Sequence, residues 1–173
     1  MIQYHRKRVL PLHIRKAKFS DLPAIEAVYE QARRYMRENG NPNQWINGYP
    51  GRKTVEIDIA GGNCHVCDED GVIIGVFAFL EGPDPTYNQI FDGSWCNNEP
   101  YVVIHRIAVS VHRKGVASQC FAFALQHCNN LRIDTHQDNI PMQRSLAKNG
   151  FCRCGIIHLA NGSPRIAFQK TIP

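Results

Sequence analysis

The stretch that most restricts the fold is Val102–Ala117, VVIHRIAVSVHRKGVA. Its first half is a run of apolar and β-branched residues broken only by His105 and Arg106, which is the composition of a strand. Its second half is a short basic turn ending in Gly115, Val116 and Ala117, and apolar residues at helical spacing follow at once. A strand that feeds a glycine-containing basic turn and then a helix can bind phosphate. The turn presents backbone N–H groups, and the helix N-terminus adds about half a positive charge. The rest of the chain must then wall in whatever carries that phosphate.

At 173 residues the chain suits one domain, 1–173, with residues 1–11 as a basic tail. No apolar run approaches the roughly 20 residues of a membrane span. The start, MIQYHRKRVLPLHIRK, is basic but lacks the apolar centre of a secretion signal, so a cytoplasmic protein with no membrane partner is expected. The net charge of +5 carries no nucleic-acid module signature, so no nucleic-acid partner is expected. Seven cysteines, an odd number, are expected to be reduced thiols. Strand alternation would send Cys64 and Cys67 to opposite faces, and Cys152 and Cys154 lack a second pair at zinc spacing, so no metal is expected.

Periodicity places a short strand over 12–18 and a helix from Ser20, with Leu22, Ile25, Val28, Tyr29, Ala32 and Tyr35 on its apolar stripe. Ser20 is the expected cap, and Asn39–Gly40 the stop. The loop Asn41–Gly51 contains Trp45 and Tyr49, which either line a ligand site or plug the core. A short helix over Lys53–Ile59 precedes a hairpin, Asn63–Glu69 with Val72–Leu80. Gly82–Pro100 is an irregular loop of the length that is often functional. A strand over Tyr101–Val109 enters the basic turn. A helix over Val116–Cys128, a strand over Leu131–Thr135, a helix over Pro141–Asn149 and strands over Phe151–Leu159 and Arg165–Lys170 complete the order β α α β β β α β α β β.

That order, with Ile107–Ala108–Val109, Lys114–Gly115–Val116–Ala117, Asn139 and the Gly150–Phe151 pair, resembles the GNAT superfamily of N-acetyltransferases. The family's central motif is Gln or Arg, two residues, Gly, one residue, then Gly or Ala. In the same register His112 stands where Gln or Arg is usual, while Gly115 and Ala117 match. The resemblance implies an α+β, three-layer fold: a mixed, mostly antiparallel sheet of about seven strands, splayed between the fourth and fifth and flanked by about four helices. It implies acetyl-coenzyme A as the acetyl donor, with no metal. Ile107, Ala108 and Val109 would pair with the pantetheine arm. His112, Arg113, Lys114, Gly115, Val116, Ala117 and Ser118 would surround the pyrophosphate, and Asn139 would bond the coenzyme on its far side. Gly115 reads equally as a turn glycine, and Asn139 as a helix cap.

The reaction implied is acetyl transfer to a primary amine of a small molecule or amino acid by direct attack in a ternary complex. The alternatives are a protein or peptide N-acetyltransferase and a non-catalytic coenzyme A-binding regulatory module. If the resemblance failed, a small nucleotide-binding protein would remain, without a Walker-type sequence. A backbone N–H near Val109 would serve the oxyanion. Three side chains are candidate bases: His136 at the end of the fifth strand, His105 on the central strand, and Glu99 before that strand. His136 reads otherwise as a turn cap and His105 as a packed histidine. The family's acid is a tyrosine at the position of Leu146, so that role is open here. Trp45, Tyr49 and Trp95 are the expected acceptor-binding aromatics, with Tyr87 in a similar loop, and Asp84, Asp92 or Glu99 could hold an ammonium group. A monomer or homodimer is expected.

Overall fold

The computed structural model describes residues 12–110 and 115–173. Seven strands form one sheet: β1 (His13–Lys16), β2 (Cys64–Glu69), β3 (Val72–Glu81), β4 (Val102–Val109), β5 (Asn130–Thr135), β6 (Cys152–His158) and β7 (Pro164–Thr171). Four helices accompany them: α1 (Leu22–Glu38), α2 (Arg52–Ala60), α3 (Val116–His127) and α4 (Ile140–Lys148). The sheet order is β1-β2-β3-β4-β5-β7-β6, and every pairing is antiparallel except β4 with β5. The expected α+β sheet, mixed and mostly antiparallel, is therefore present.

Strand alternation divides the core in two, one layer on each face. On one face Cys64, Val66, Val76 and Ala108 pack with Leu22, Ile25, Val28 and Tyr29 of α1 and Val55 and Ile59 of α2. On the other, Cys67, Ile74, Phe77 and Ile104 pack with Cys120, Phe121 and Ala124 of α3 and Leu146 of α4. Cys64 and Cys67 thus lie in different layers, as alternation requires. Among the described residues no group of three or more His, Cys, Asp or Glu could hold a metal ion, and no helix is long and apolar enough to cross a membrane.

Two local features depart from the expected pattern. Ser20 does not cap α1; the chain enters through a 3-10 turn, Phe19–Asp21, whose Asp21 carboxylate accepts the Lys18 N–H at 2.7 Å and pairs with Arg15 at 2.8 Å. A carboxylate that ties both a backbone amide and a guanidinium outcompetes a serine hydroxyl at this corner. The Gly82–Pro100 loop is not free of structure either. Phe91 bridges Ile156 of β6, and Gly93 and Gly155 sit where a Cβ would lie 1.9 Å and 2.5 Å from facing backbone oxygens. Only glycine lets the two backbones approach this closely.

Candidate active site

β4 and β5 pair only through Val102 with Leu131 and Val103 with Arg132. Beyond that point the two strands part, and the sheet opens at its centre. On its other edge β4 carries a bulge. Val76 faces Ala108 and Ala78 faces His105, so Arg106 and Ile107 together stand opposite Phe77. Arg106 has φ 52°, a left-handed conformation that costs on the order of 1 kcal/mol in a residue with a Cβ. The surroundings hold it there. The Tyr29 hydroxyl of α1 donates to the Arg106 carbonyl at 2.8 Å, and the guanidinium grips Asp58 of α2 at 2.8 and 2.9 Å. The bulge, at Arg106, sits three residues before Val109.

The bulge and the split aim backbone groups into the gap. Ser110 N–H donates to Ile74 of β3 at 2.8 Å. Alternation then turns the peptide groups of Val109 and Ile107 away from β3, toward the opening where β5 no longer pairs. A cavity of about 560 Å³ lies on this side, lined by Ile107, Ala108, Val109, Ser110, Gly115, Ala117 and Ser118, and by Asn139, Arg144 and Lys148. Gly115 stands before the first turn of α3 at φ 82°, with open space where a Cβ would be. The Asn41 Oδ1 atom in the same wall is buried and has no hydrogen-bond partner among the described residues.

A second cavity of about 550 Å³ opens on the other side of the split. Trp45, Tyr49, Asp84, His105, Arg106, Asp134, Thr135 and Arg165 line it. His105 Nε2 lies 2.7 Å from Asp84 Oδ2, and its Nδ1 lies 3.7 Å from Asp134 Oδ1. Burial works against the charge on Asp84, but the His105 contact and the Thr86 hydroxyl and amide outweigh it and hold the carboxyl at about 2. Asp134 Oδ1 accepts the Tyr87 hydroxyl at 2.7 Å, and burial together with that carboxylate drives the Tyr87 phenol well above its ordinary value. Met36, Ile107, Asn139 and Met142 border both cavities, so the two meet at the split.

Trp45, Tyr49, His105, Ile107 and Asn139 are thus brought together around the opening. Asn139 does two jobs already: its Oδ1 accepts the Met142 N–H at 3.2 Å and caps α4, while its Nδ2 donates to Gln44 at 2.8 Å. Val116 turns inward to the core. Trp45 lines the second cavity and stacks edge-on to Tyr29 at 5.6 Å. His112, Arg113 and Lys114 lie outside the described residues, as does the basic tail 1–11.

Three expected residues lie elsewhere. Glu99 is exposed at the closed end of the β4–β5 pair, where its carbonyl accepts from Asn130 at 3.2 Å. It precedes β4, and the sheet opens only at the strand's far end. Trp95 forms no part of the acceptor-side wall. It packs with Tyr87 and Ile157 in a small separate cluster, donates to the Tyr87 carbonyl at 3.0 Å and lies 4.2 Å from the Arg132 guanidinium. His136 is buried and borders neither cavity; its Nδ1 accepts the Asp138 N–H at 3.1 Å and closes a local turn. Burial first, then the nearby Arg165, hold His136 below its ordinary value, against the pull of Asp138. Asp134 and Arg165 in the wall of the second cavity, and Arg144 and Lys148 in that of the first, belong to no motif in the sequence. Alternation of the short fifth and seventh strands carried the only signal for the first two.

A sheet split at one strand pair, with a cavity on either side of the split, is the architecture of an enzyme that joins two substrates through the sheet. The Acetyltransferase (GNAT) family matches over residues 25–151, and the chain belongs to that family. It is similar to a GNAT-family acetyltransferase from Streptococcus agalactiae, with 33% identity and a TM-score of 0.82 over 94% of this chain and 96% of that one. A GNAT-family acetyltransferase from Bacillus cereus is 25% identical, with a TM-score of 0.61 over 94% of this chain and 99% of its own. The ribosomal-protein-S18-alanine N-acetyltransferase from Escherichia coli shares the fold at 14% identity and a TM-score of 0.61, over 94% of each chain. No curated protein sequence matches the chain significantly.

Proposed function

We propose that the chain moves the acetyl group of acetyl-coenzyme A to a primary amine of a small molecule or amino acid, by direct attack in a ternary complex. The observation that carries this reading is the Asp84–His105–Asp134 constellation facing the split. The coenzyme-side cavity fits the donor. The peptide groups of Ile107 and Val109 offer an edge to an extended amide arm. Asn41 Oδ1 is a buried acceptor in need of a donor. The start of α3 at Gly115, with Ser118, Arg144 and Lys148 nearby, suits phosphate groups. Acetyl-coenzyme A supplies an activated thioester carbonyl. The same reading takes residues 1–173 as one catalytic domain, because the sheet draws strands from His13 to Thr171.

His105 is the base in this scheme. Its Nε2–H donates to ionised Asp84, which fixes the tautomer and leaves the Nδ1 lone pair toward the cavity. Asp134 holds the incoming ammonium group. After Nδ1 takes a proton, directly or through water, the neutral amine forms the new N–C bond, the C–S bond breaks, and the second proton shed by the nitrogen passes through water to the departed thiolate. The oxyanion draws on a peptide N–H of the bulged strand beside Ile107. Leu146, where the family carries a tyrosine acid, is fully buried in the core, so the thiolate leaves without a donor at that position. A thiol that ionises near pH 8.5 makes this departure tolerable. The test is free-thiol release from acetyl-coenzyme A across an amine panel. His105→Gln should lower kcat about 100- to 1,000-fold while coenzyme affinity holds. Equal turnover by that variant would remove His105 from the reaction.

A further inference from the structure

Two arginines of the sheet are buried, Arg132 and Arg165, and their charges are treated differently. Arg132 spreads its charge over the faces of Trp95 and Tyr101, at 4.2 and 4.0 Å. Arg165 points into the acceptor-side cavity and meets only neutral acceptors: Ser163 Oγ at 2.6 Å, the Pro164 carbonyl at 2.8 Å and the Gln44 carbonyl at 3.4 Å. It makes no ion pair among the described residues. The other guanidinium of the cavity, that of Arg106, is already neutralised by Asp58. Asp134 acts on Arg165 only from a distance, and burial outweighs that attraction; a guanidinium withdrawn from water and facing a cavity without a direct ion-pair partner is costly unless the cavity's occupant supplies one.

Its position fits that role. Asp134 pairs with Ala167 on β7, and Arg165 lies two residues before Ala167. Asp134 and Arg165 are therefore diagonal neighbours on one face, with roughly 7 Å between their Cβ atoms. The cavity therefore holds an acidic corner at Asp134 and a basic corner at Arg165 on one face of the sheet, so one occupant can offer an ammonium group to the first and a carboxylate to the second. Arg165 also hangs from Gln44, which accepts a hydrogen bond from Asn139 at the border of both cavities. A carboxylate on Arg165 thus places the amine beside the split. We propose that the acceptor is an amino acid, an amine that also bears a carboxylate, and that Arg165 binds that carboxylate and selects for it. This rests on the transfer reading above and narrows its acceptor.

The test compares the common amino acids with their carboxamides, in the wild type and in Arg165→Gln and Arg165→Lys, by free-thiol release at saturating acetyl-coenzyme A. The wild type should use the best amino acid at least tenfold more efficiently than its carboxamide. Arg165→Gln should erase that preference, chiefly by raising KM for the acid tenfold or more, with the carboxamide within threefold of wild type. Arg165→Lys, which keeps the charge but loses the two-pronged grip, should retain part of the preference. Equal use of acid and amide by the wild type, or an equal loss for both in Arg165→Gln, overturns the proposal. Thermal shifts with the same amino acids give a readout that needs no turnover. Stabilisation of the wild type but not of Arg165→Gln supports the carboxylate site even where no thiol is released, and then the transfer reading alone has failed. No stabilisation by any amino acid, together with no turnover, sinks both.

Discussion

His105 bridges two carboxylates across the opening of the sheet: Asp84 at 2.7 Å on Nε2 and Asp134 at 3.7 Å on Nδ1. The short contact sets the tautomer, and the long one lies beyond hydrogen-bond reach, so Nδ1 and Asp134 can both engage one ammonium group from the cavity side. The two aspartates are therefore expected to do different work.

Asp84 ties stability to acid. Its carboxyl lies at about 2 in the fold, against 3.8 in the free residue. The folded value is the lower one, so its contribution is fully present above about pH 4 and is lost as pH falls through 2. Chemical denaturation of the wild type should weaken by up to about 2 kcal/mol between pH 4 and pH 2 from this group. Asp84→Asn should lower stability at pH 7 and flatten that part of the profile.

Asp134→Asn keeps the Tyr87 hydrogen bond available and removes the charge facing the amine. Steady-state kinetics should show a KM for the amine at least tenfold higher. The KM for acetyl-coenzyme A should stay within twofold, because Asp134 borders only the acceptor-side cavity.

Tyr29 holds the bulge from behind. Tyr29→Phe removes its bond to the Arg106 carbonyl and leaves that oxygen buried without its partner. A loss of about 1 to 2 kcal/mol in stability is expected. A fall in kcat larger than any change in either KM should accompany it, since the bulge positions the peptide groups at the split.

Gly115→Ala probes the other cavity. Among the described residues no atom beyond its chain neighbours lies within 4 Å of the added methyl. The cost comes from φ 82° alone, about 1 kcal/mol. Calorimetric titration with coenzyme A should show weaker binding as the start of α3 at Gly115 shifts, while amine KM is unchanged.

Thiol chemistry reads the two core layers. Burial pushes Cys64 and Cys154 up to about 12, in each case above the ordinary thiol. Cys96 and Cys152 are exposed. Brief alkylation at pH 8, followed by mass spectrometry, should label Cys96 and Cys152 first and leave Cys64, Cys67 and Cys120 unlabelled until the chain unfolds.

The wall of the first cavity is the more legible in the sequence because it depends on backbone. A β-branched strand, a glycine at a helix start and an asparagine cap are local signals, and with the family resemblance they point to Ile107, Val109, Gly115 and Asn139, which line that cavity. The acceptor side depends on which side chains meet across the split. His105, Asp84, Asp134 and Arg165 come from a strand, a loop and two other strands, and no local pattern ties them together. His136 and Glu99 illustrate the limit. Each stands next to a strand of the site in sequence, yet one side chain turns into a buried corner and the other sits at the closed end of the pair. Trp95 lies in a long loop of the kind that lines a ligand site, but Arg132 beneath it draws the ring into a separate cluster.

The central claim is that an amine held at Asp134 is deprotonated by His105 and takes the acetyl group through the split. The most direct measurement is thiol release from acetyl-coenzyme A by wild type, His105→Gln and His136→Gln, with the best amine of the panel, across pH 6 to 9. Wild type and His136→Gln should turn over with rates that rise with pH, and His105→Gln should lose at least a hundredfold at neutral pH, regaining part of it as the amine deprotonates in bulk. Full turnover by His105→Gln, with loss in His136→Gln, would contradict the account.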